Sequence, residues 1–509
     1  MLQIVWFKRD LRVQDNEALT RAAETGTVLP LYIVEPGLWR QPDMSGRHWA
    51  FMRDGLLSLS RDLARLGQPL IVRSGEAVEV LKALLDQHQV SGVWSHQETG
   101  NAWTYRRDRA VASLLRERGV AWHQPRQHGV VRGPLDRDGW SRQWEALMTA
   151  PRFTPPRLHA VAGLEPGQAP DWPDHAMPDD PCPGRQQGGR AAAEQALHSF
   201  LEQRGARYHL EMSSPRSASA SCSRLSAHLA WGTLSMREVL QATRQRRAEI
   251  KQRSPAERGA WGRALAAFEG RLHWHCHFMQ KLESEPRFEF ENMQRATSDL
   301  RNPHCDPERL RAWKTGNTGW PLVDACMRSL AHTGWINFRM RAMLMSVASY
   351  QLWLHWREPA LHLARLFVDY EPGIHYPQAQ MQSGTTGINS LRIYNPVKQS
   401  LDQDGDGIFI RTWVPELSRV GNSWIHTPWR MPAEIQRDCG VLIGRDYPTP
   451  LVDHEAAARQ ARQTIMQARR SADARSESKS IQARHGSRKR TRQPRRGGRQ
   501  QASLFPDDA

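Results

Sequence analysis

The sequence predicts an N-terminal α/β domain built on a doubly wound parallel sheet, followed by an all-α C-terminal domain. Three features predict it. In the first third, short apolar runs alternate with amphipathic stretches. From about residue 129 to 189 the chain turns rich in Pro, Gly and Asp, as in PRFTPPRLHAVAGLEPGQAPDWPDHAMPDDPCPG. From Ala191 onward apolar residues recur at helical spacing.

The strands are expected at Leu2–Phe7, Val28–Val34, Pro69–Arg73, Gly92–His96 and Val120–His123. Helices between them are expected at Arg47–Leu66, Ala77–His88 and Ala102–Arg118. Such βαβα alternation gives parallel strands joined by helical crossovers. No G-x-G-x-x-G follows the first strand and no G-x-x-x-x-G-K-[ST] occurs, so the sheet is not an obvious NAD or P-loop domain. The Pro-rich stretch reads as an interdomain connector. After it, AAAEQALHSFLEQRG, SMREVLQATRQRR, WGRALAAFEGRLHWHCHFMQKLE and WINFRMRAMLMSVASYQLWLHWRE all carry helical periodicity. The expected division is an α/β domain over 1–130, a linker over 131–190, a helical domain over 191–455 and a solvated, disordered basic tail over 456–509.

Composition narrows the function. A net charge of +17 over 509 residues suggests a polyanionic partner, although part of the excess lies in the tail. The six cysteines are dispersed without a C-x-x-C pair, which argues against a disulfide framework and against a simple zinc ribbon or iron–sulfur signature. MLQIVWFKRDLR is too short and too charged for a signal peptide, and no apolar run reaches membrane-spanning length. A soluble, cytoplasmic protein is expected. Tryptophan is unusually abundant, 20 against 12 Phe and 8 Tyr. Most of it fills core, but a cluster of indoles in a basic protein also suits a flat cofactor or nucleic-acid bases.

Several local patterns invite chemistry. His273 and His277 in HWHCH stand one helical turn apart, yet spacing supplies no further ligand, so no metal site is expected. DQDGDG begins like a calcium loop but has Trp413 where a bidentate Glu is needed. In SCSRLSAHLAWGTLSMREV, Ser223 and Ser226 precede an apolar helix, where hydroxyls and backbone N–H groups suit phosphate. Arg341 and Asp369 lie among apolar residues; buried charges need partners, so these two are expected to pair, either as a core ion pair or beside a polar heterocycle.

IVWFKRDLRVQDN, SRLSAHLAWGTLS, LRAWKTGNTGWPLVDACMRSLAHTGWINFRMR, IYNPVKQS and GIFIRTWVPEL occur in this order over about residues 1 to 450. In that combination the chain resembles the photolyase/cryptochrome family of flavoproteins. The resemblance implies that the all-α domain binds FAD in a U-shape. It places Tyr208 and Cys222, Ser223, Arg224, Leu225 and Ser226 near the FAD phosphates and ribityl chain, and Arg341 with Asp369 against the flavin ring. Phe268, Arg271, Trp335, Tyr370 and Glu371 complete the implied cofactor-binding set. Trp274 matches the residue that stacks on a damaged pyrimidine pair, Trp356 an electron-transfer tryptophan, and His375 the residue near flavin N5. The implied activity is light-driven repair of pyrimidine dimers in damaged DNA by electron transfer from reduced FAD, that of a deoxyribodipyrimidine photolyase. The alternative is a blue-light photoreceptor of cryptochrome type without repair activity.

The chain departs from the family pattern at several places. Family members usually carry three tryptophans that pass electrons to the flavin. Here Trp356 holds the middle position, Pro303 the outer and Gln378 the inner, with Trp353 as a candidate for a rerouted path. His375 replaces Asn or Asp near N5, and an imidazole there is expected to titrate near neutral pH. Arg271 stands where a dimer-contacting glutamate often sits. Pro42, Trp103 and Thr104 replace polar ligands of a folate antenna, so a second chromophore is unassigned. Beyond the resemblance, Gln501, Leu504 and Phe505 in QASLF look like a peptide that docks on the bacterial sliding clamp, an amide and an apolar pair on a leash.

Overall fold

The computed structural model describes residues 1–133, 135–173 and 177–486. Five parallel strands, β1 (Leu2–Phe7), β2 (Thr27–Val34), β3 (Ile71–Ser74), β4 (Val90–Trp94) and β5 (Ala121–His123), form one sheet in the order β3-β2-β1-β4-β5. β1 lies at the centre, with Phe7 paired to Tyr32 on one side and Val5 to Trp94 on the other. A strand buried on both faces reads as an unbroken apolar run, which is why β1 and β2 were plain in the sequence. Alternate residues of β1 enter opposite cores: Val5 and Phe7 pack with Leu19, Trp49 and Leu56, and Ile4 and Trp6 with Leu81, Val111 and Leu115. The strand expected at Gly92–His96 runs instead over Val90–Trp94, and His96 beyond its end sets Nδ1 2.7 Å from the Asp10 carboxylate.

The connector is more ordered than its composition suggests. It contains a helix, Trp140–Thr149, whose Trp140, Trp144 and Met148 recur every four residues and are buried against the helical domain. Other parts return to the sheet domain, where Val72 N–H donates to Pro166 O at 2.6 Å and Leu158 N–H to Leu66 O at 2.8 Å.

The region from Arg190 on is helical. Its longest helix, Trp261–Ser284, packs closely on Pro372–Ser383. Gly373 permits this approach, because a Cβ there would stand 2.9 Å from Met279 Cα. The two domains meet where Gly232, at φ +71°, lies against Arg9. Arg9 donates to Ala230 O and Tyr370 O, and Trp231 Nε1 donates to Val368 O at 3.0 Å.

The expected tail is corrected over its first part. His454–Ala468 and Ala472–His485 are helices whose Ala461, Ile465, Ala474 and Ile481 are buried. Alanine supplies much of that apolar face, so the arginines dominated the composition. Residues 487–509, with Gln501, Leu504 and Phe505, lie outside the described residues. No helix among the described residues is long and apolar enough to cross a membrane.

Candidate functional site

Cys222 to Ser226 form a reversing loop between the helix Pro215–Ser221 and the short helix Ser226–Ala230. The turn requires Arg224 at φ +62°, a region that costs a non-glycine residue free energy and persists only when neighbours hold it. Gln186 does so: it donates to Arg224 O at 3.1 Å and accepts from Arg224 Nε at 3.3 Å. The Arg224 guanidinium lies 4.0 Å above the Trp335 ring. Arg204 donates to the carbonyls of Ala220, Cys222 and Ser223 from below. Tyr208, Leu225 and Phe268 share an apolar core behind the loop.

The loop sits in a field of cations. Burial raises the Cys222 thiol to about 12, opposed by the guanidiniums of Arg224, Arg271, Arg204 and Arg341. Burial also lowers Arg224 to about 10, with Asp369 opposing. Asp369 is bound by Arg341 at both oxygens, Nη1 to Oδ1 at 3.0 Å and Nη2 to Oδ2 at 2.8 Å. Burial would raise its carboxyl; Arg341 and the Ser226 hydroxyl outweigh that and hold it below the usual carboxylate range. Arg341 Nε donates to Ile336 O at 2.7 Å and its guanidinium stacks 4.1 Å over Phe367. The expected pairing of Arg341 with Asp369 is thus present.

Further along, Glu371 faces Arg9 at 3.5 Å, and burial, against Arg9, pushes its carboxyl up to about 7. His375 Nε2 lies 2.8 Å from Ala360 O, and Phe367, Tyr370 and Tyr376 stand edge-on around its ring. Burial pushes His375 down to about 4, against its contact with Ala360 O. The expectation that this imidazole titrates near neutrality is therefore corrected: desolvation keeps it uncharged.

Trp274, His275, Trp335, Arg341, His375 and Gln378 are all half-buried. Gln378 has neither amide atom partnered, and Asn337 Oδ1, His275 Nδ1 and Glu371 Oε1 are equally without a hydrogen bond. Four guanidiniums around one loop and unmet donors and acceptors opposite suit a ligand that carries phosphate and a polar heterocycle. The chain's residues fit FAD in that respect.

Trp274 stacks on Phe278 at 5.6 Å and meets His277 edge-on at 4.9 Å. Arg137 Nη2 donates to His277 Nδ1 at 2.6 Å, and Lys281 lies 4.9 Å over Phe278. Arg271 turns the other way, to Tyr208, Met212 Sδ at 3.9 Å and the Phe338 ring. His273 is held edge-on by Trp140 and Trp144. Among the described residues no group of three or more His, Cys, Asp or Glu is placed to hold a metal.

Residues 3–135 match the family model for DNA photolyase, and 268–467 that for the FAD binding domain of DNA photolyase. A deoxyribodipyrimidine photo-lyase of Streptomyces griseus is 32% identical over 482 residues, 90% of this chain and 97% of that protein. The chain belongs to the photolyase/cryptochrome family. A cryptochrome DASH of Natronomonas pharaonis is 30% identical, with 89% and 98% covered. The crystal structure of a bacterial class III photolyase from Agrobacterium tumefaciens superposes with a TM-score of 0.79 at 26% identity, covering 92% of this chain and 98% of that one. FAD is therefore the cofactor of the helical domain.

Within this photolyase/cryptochrome chain, Trp356 is fully buried, with Nε1 donating to Asn292 Oδ1 at 2.6 Å. Its ring meets Tyr376 edge-on at 6.4 Å. Trp353 adopts φ +56° and lies under the Arg301 guanidinium. Sequence reading missed Asp43, which accepts from Tyr370 at 2.5 Å and Tyr376 at 3.2 Å. Tyr370 thus directs its hydroxyl to the domain seam, and no local pattern could link residues so far apart.

Open α/β sheets offer ligands a crevice at their strands' carboxyl ends, where strand order reverses. Here that crevice encloses about 30 Å³ and is lined by Trp6, Lys8, Glu35, Glu98, Arg107 and Tyr370. Buried Arg107 pairs with Glu35 at 2.8 Å, with Asp108 at 2.7 Å and with Glu98, and rests against Trp6.

Proposed function

We propose that this chain is a deoxyribodipyrimidine photolyase that splits pyrimidine dimers in DNA under light. The observation that carries this reading is the half-buried Trp274, stacked on Phe278 and edge-on to His277, with Lys281 over Phe278 and Arg137 bonded to His277. An indole face there suits two adjacent pyrimidines of one strand turned out of the helix, and the cations suit the flanking phosphates.

FAD, when bound and reduced, supplies the electron on illumination. In our reading the chain's residues hold both partners. Tyr208 and Cys222 to Ser226 support the phosphate and ribityl side, with Phe268 and Leu225 packing behind them and Arg271 adding charge. Arg341, Asp369 and Glu371 take the polar edge of the heterocycle, Tyr370 anchors this turn through its bond to Asp43, and His375 stays neutral beside it. Trp335 and Trp274 border the opening and exclude water from the dimer. Trp356 passes electrons inward from the protein. We further propose that Gln501, Leu504 and Phe505 dock on a sliding clamp and that the protein works in the cytoplasm, where its six unpaired cysteines stay reduced.

The second reading, a cryptochrome-type photoreceptor, draws on the similarity to cryptochrome DASH. Illumination of the reduced protein with dimer-containing single-stranded DNA separates the two: loss of dimers supports the enzyme, and unchanged dimers the receptor. Loss of (6-4) product alone would reassign the lesion.

A further inference from the structure

Trp356 and Tyr376 are both buried, and their rings meet edge-on with centroids 6.4 Å apart. Their polar atoms meet different partners. Trp356 Nε1 donates to Asn292 Oδ1 at 2.6 Å, and Asn292 spends its own amide hydrogens on Thr297 O and Oγ1. An amide oxygen accepts a hydrogen bond but is a poor proton acceptor, so an indole oxidised at this position keeps its N–H and its positive charge. The Tyr376 hydroxyl donates instead to Asp43 Oδ2 at 3.2 Å, and an ionised carboxylate takes up a proton readily.

Asp43 is held for that task. It is 1% exposed and comes from the sheet domain, across the seam from Tyr376. Asn101 Nδ2 reaches its two oxygens at 3.2 and 3.0 Å, and the Tyr370 hydroxyl reaches Oδ2 at 2.5 Å. These neutral donors fix the carboxylate and leave its charge to act on the phenol. Trp353 has the opposite surroundings. It lies 4.5 Å from the Arg301 guanidinium, and a fixed positive charge opposes removal of an electron from the ring. Pro303, at the outer position of the expected tryptophan chain, has no aromatic ring to oxidise.

We propose that Tyr376 is the terminal electron donor of this chain and that Asp43 accepts its proton. In the reading above, light-driven reduction of oxidised FAD withdraws one electron from Trp356. The oxidised indole then takes one electron from Tyr376. As that electron leaves, the phenolic O–H bond breaks and the proton bonds to Asp43 Oδ2. The products are neutral Trp356, a neutral tyrosyl radical and a protonated Asp43. Return of the electron to Trp356 is opposed, because the proton would have to leave Asp43 in the same step. A one-electron reductant from solution, such as a thiol, restores the phenol as Asp43 gives the proton back. This step rests on the reading of Trp356 as an electron-transfer residue, and it serves a repair enzyme and a receptor alike.

The test is electron paramagnetic resonance of the oxidised, FAD-loaded protein after illumination, with ring-deuterated tyrosine to identify the radical. The unaltered protein should give a tyrosyl signal that narrows on deuteration and forms more slowly in heavy water. Tyr376→Phe and Asp43→Asn should each reduce that signal roughly tenfold or more, leaving a short-lived indole radical. Both substitutions are close in shape to the original side chain, and flavin content and circular dichroism check the fold. Absence of a tyrosyl radical in the unaltered protein overturns the proposal, and so does a tyrosyl signal that survives Tyr376→Phe. A full signal in Asp43→Asn overturns the role of the carboxylate. A Tyr376 radical formed at the normal rate in Trp356→Phe overturns the reading of Trp356 instead, and with it the first transfer.

Discussion

Arg341 grips both oxygens of Asp369 at 3.0 and 2.8 Å, and the Ser226 hydroxyl binds the same carboxylate. One ion pair thus locks the phosphate-side loop to the turn leading to Glu371 and His375. Removing one member leaves the other charge desolvated, at a cost of about 3 kcal/mol. Asp369→Ala should lower the unfolding temperature and yield protein with little bound FAD. Full flavin content in this variant would contradict the placement of the pair.

Trp274 has a different role in this account. Its ring is half-buried and rests on Phe278, so truncation should spare the interior. Trp274→Ala is expected to retain FAD and to bind dimer-containing DNA roughly tenfold to hundredfold more weakly, as the loss of base–aromatic stacking predicts. Filter binding with a flavin absorbance control measures both.

Acid sensitivity follows from the buried imidazoles. Burial lowers His48, His275 and His375 to about 4 each, below the 6.5 of an unfolded chain. Protonation therefore favours the unfolded state, and the stability these groups contribute is complete above pH 6.5 and lost as pH falls toward 4. Thermal unfolding should show a falling midpoint across that window. Between pH 7 and 9 the flavin spectrum should not change on account of His375, and His375→Gln should leave that flat profile unaltered.

Trp356 is the remaining member of the expected tryptophan chain, and its contact with Tyr376 leads toward His375. Trp356→Phe should slow light-driven reduction of the oxidised protein at least tenfold. Repair by chemically reduced protein should proceed at the normal rate. Equal photoreduction in both proteins would place the electron route elsewhere.

The sheet was legible because parallel strands buried on both faces are continuous apolar runs, and the Arg341–Asp369 pair because charges among apolar residues need partners. The helix at Trp140–Thr149 was hidden by the Pro and Gly around it, and the C-terminal helices by arginines that outnumber a thin alanine face. The state of His375 was misread because desolvation is a property of the folded surroundings. Asp43 was invisible for a related reason: its partners Tyr370 and Tyr376 come from the far domain and share no local pattern with it.

The central claim is that the FAD-binding helical domain and Trp274 together serve light-driven dimer repair. The direct measurement is dimer content in single-stranded DNA incubated with the chemically reduced, FAD-loaded protein, in light and in darkness. The account predicts loss of dimers in light alone. Unchanged dimer content under illumination, with the DNA bound and the flavin reduced, would contradict it.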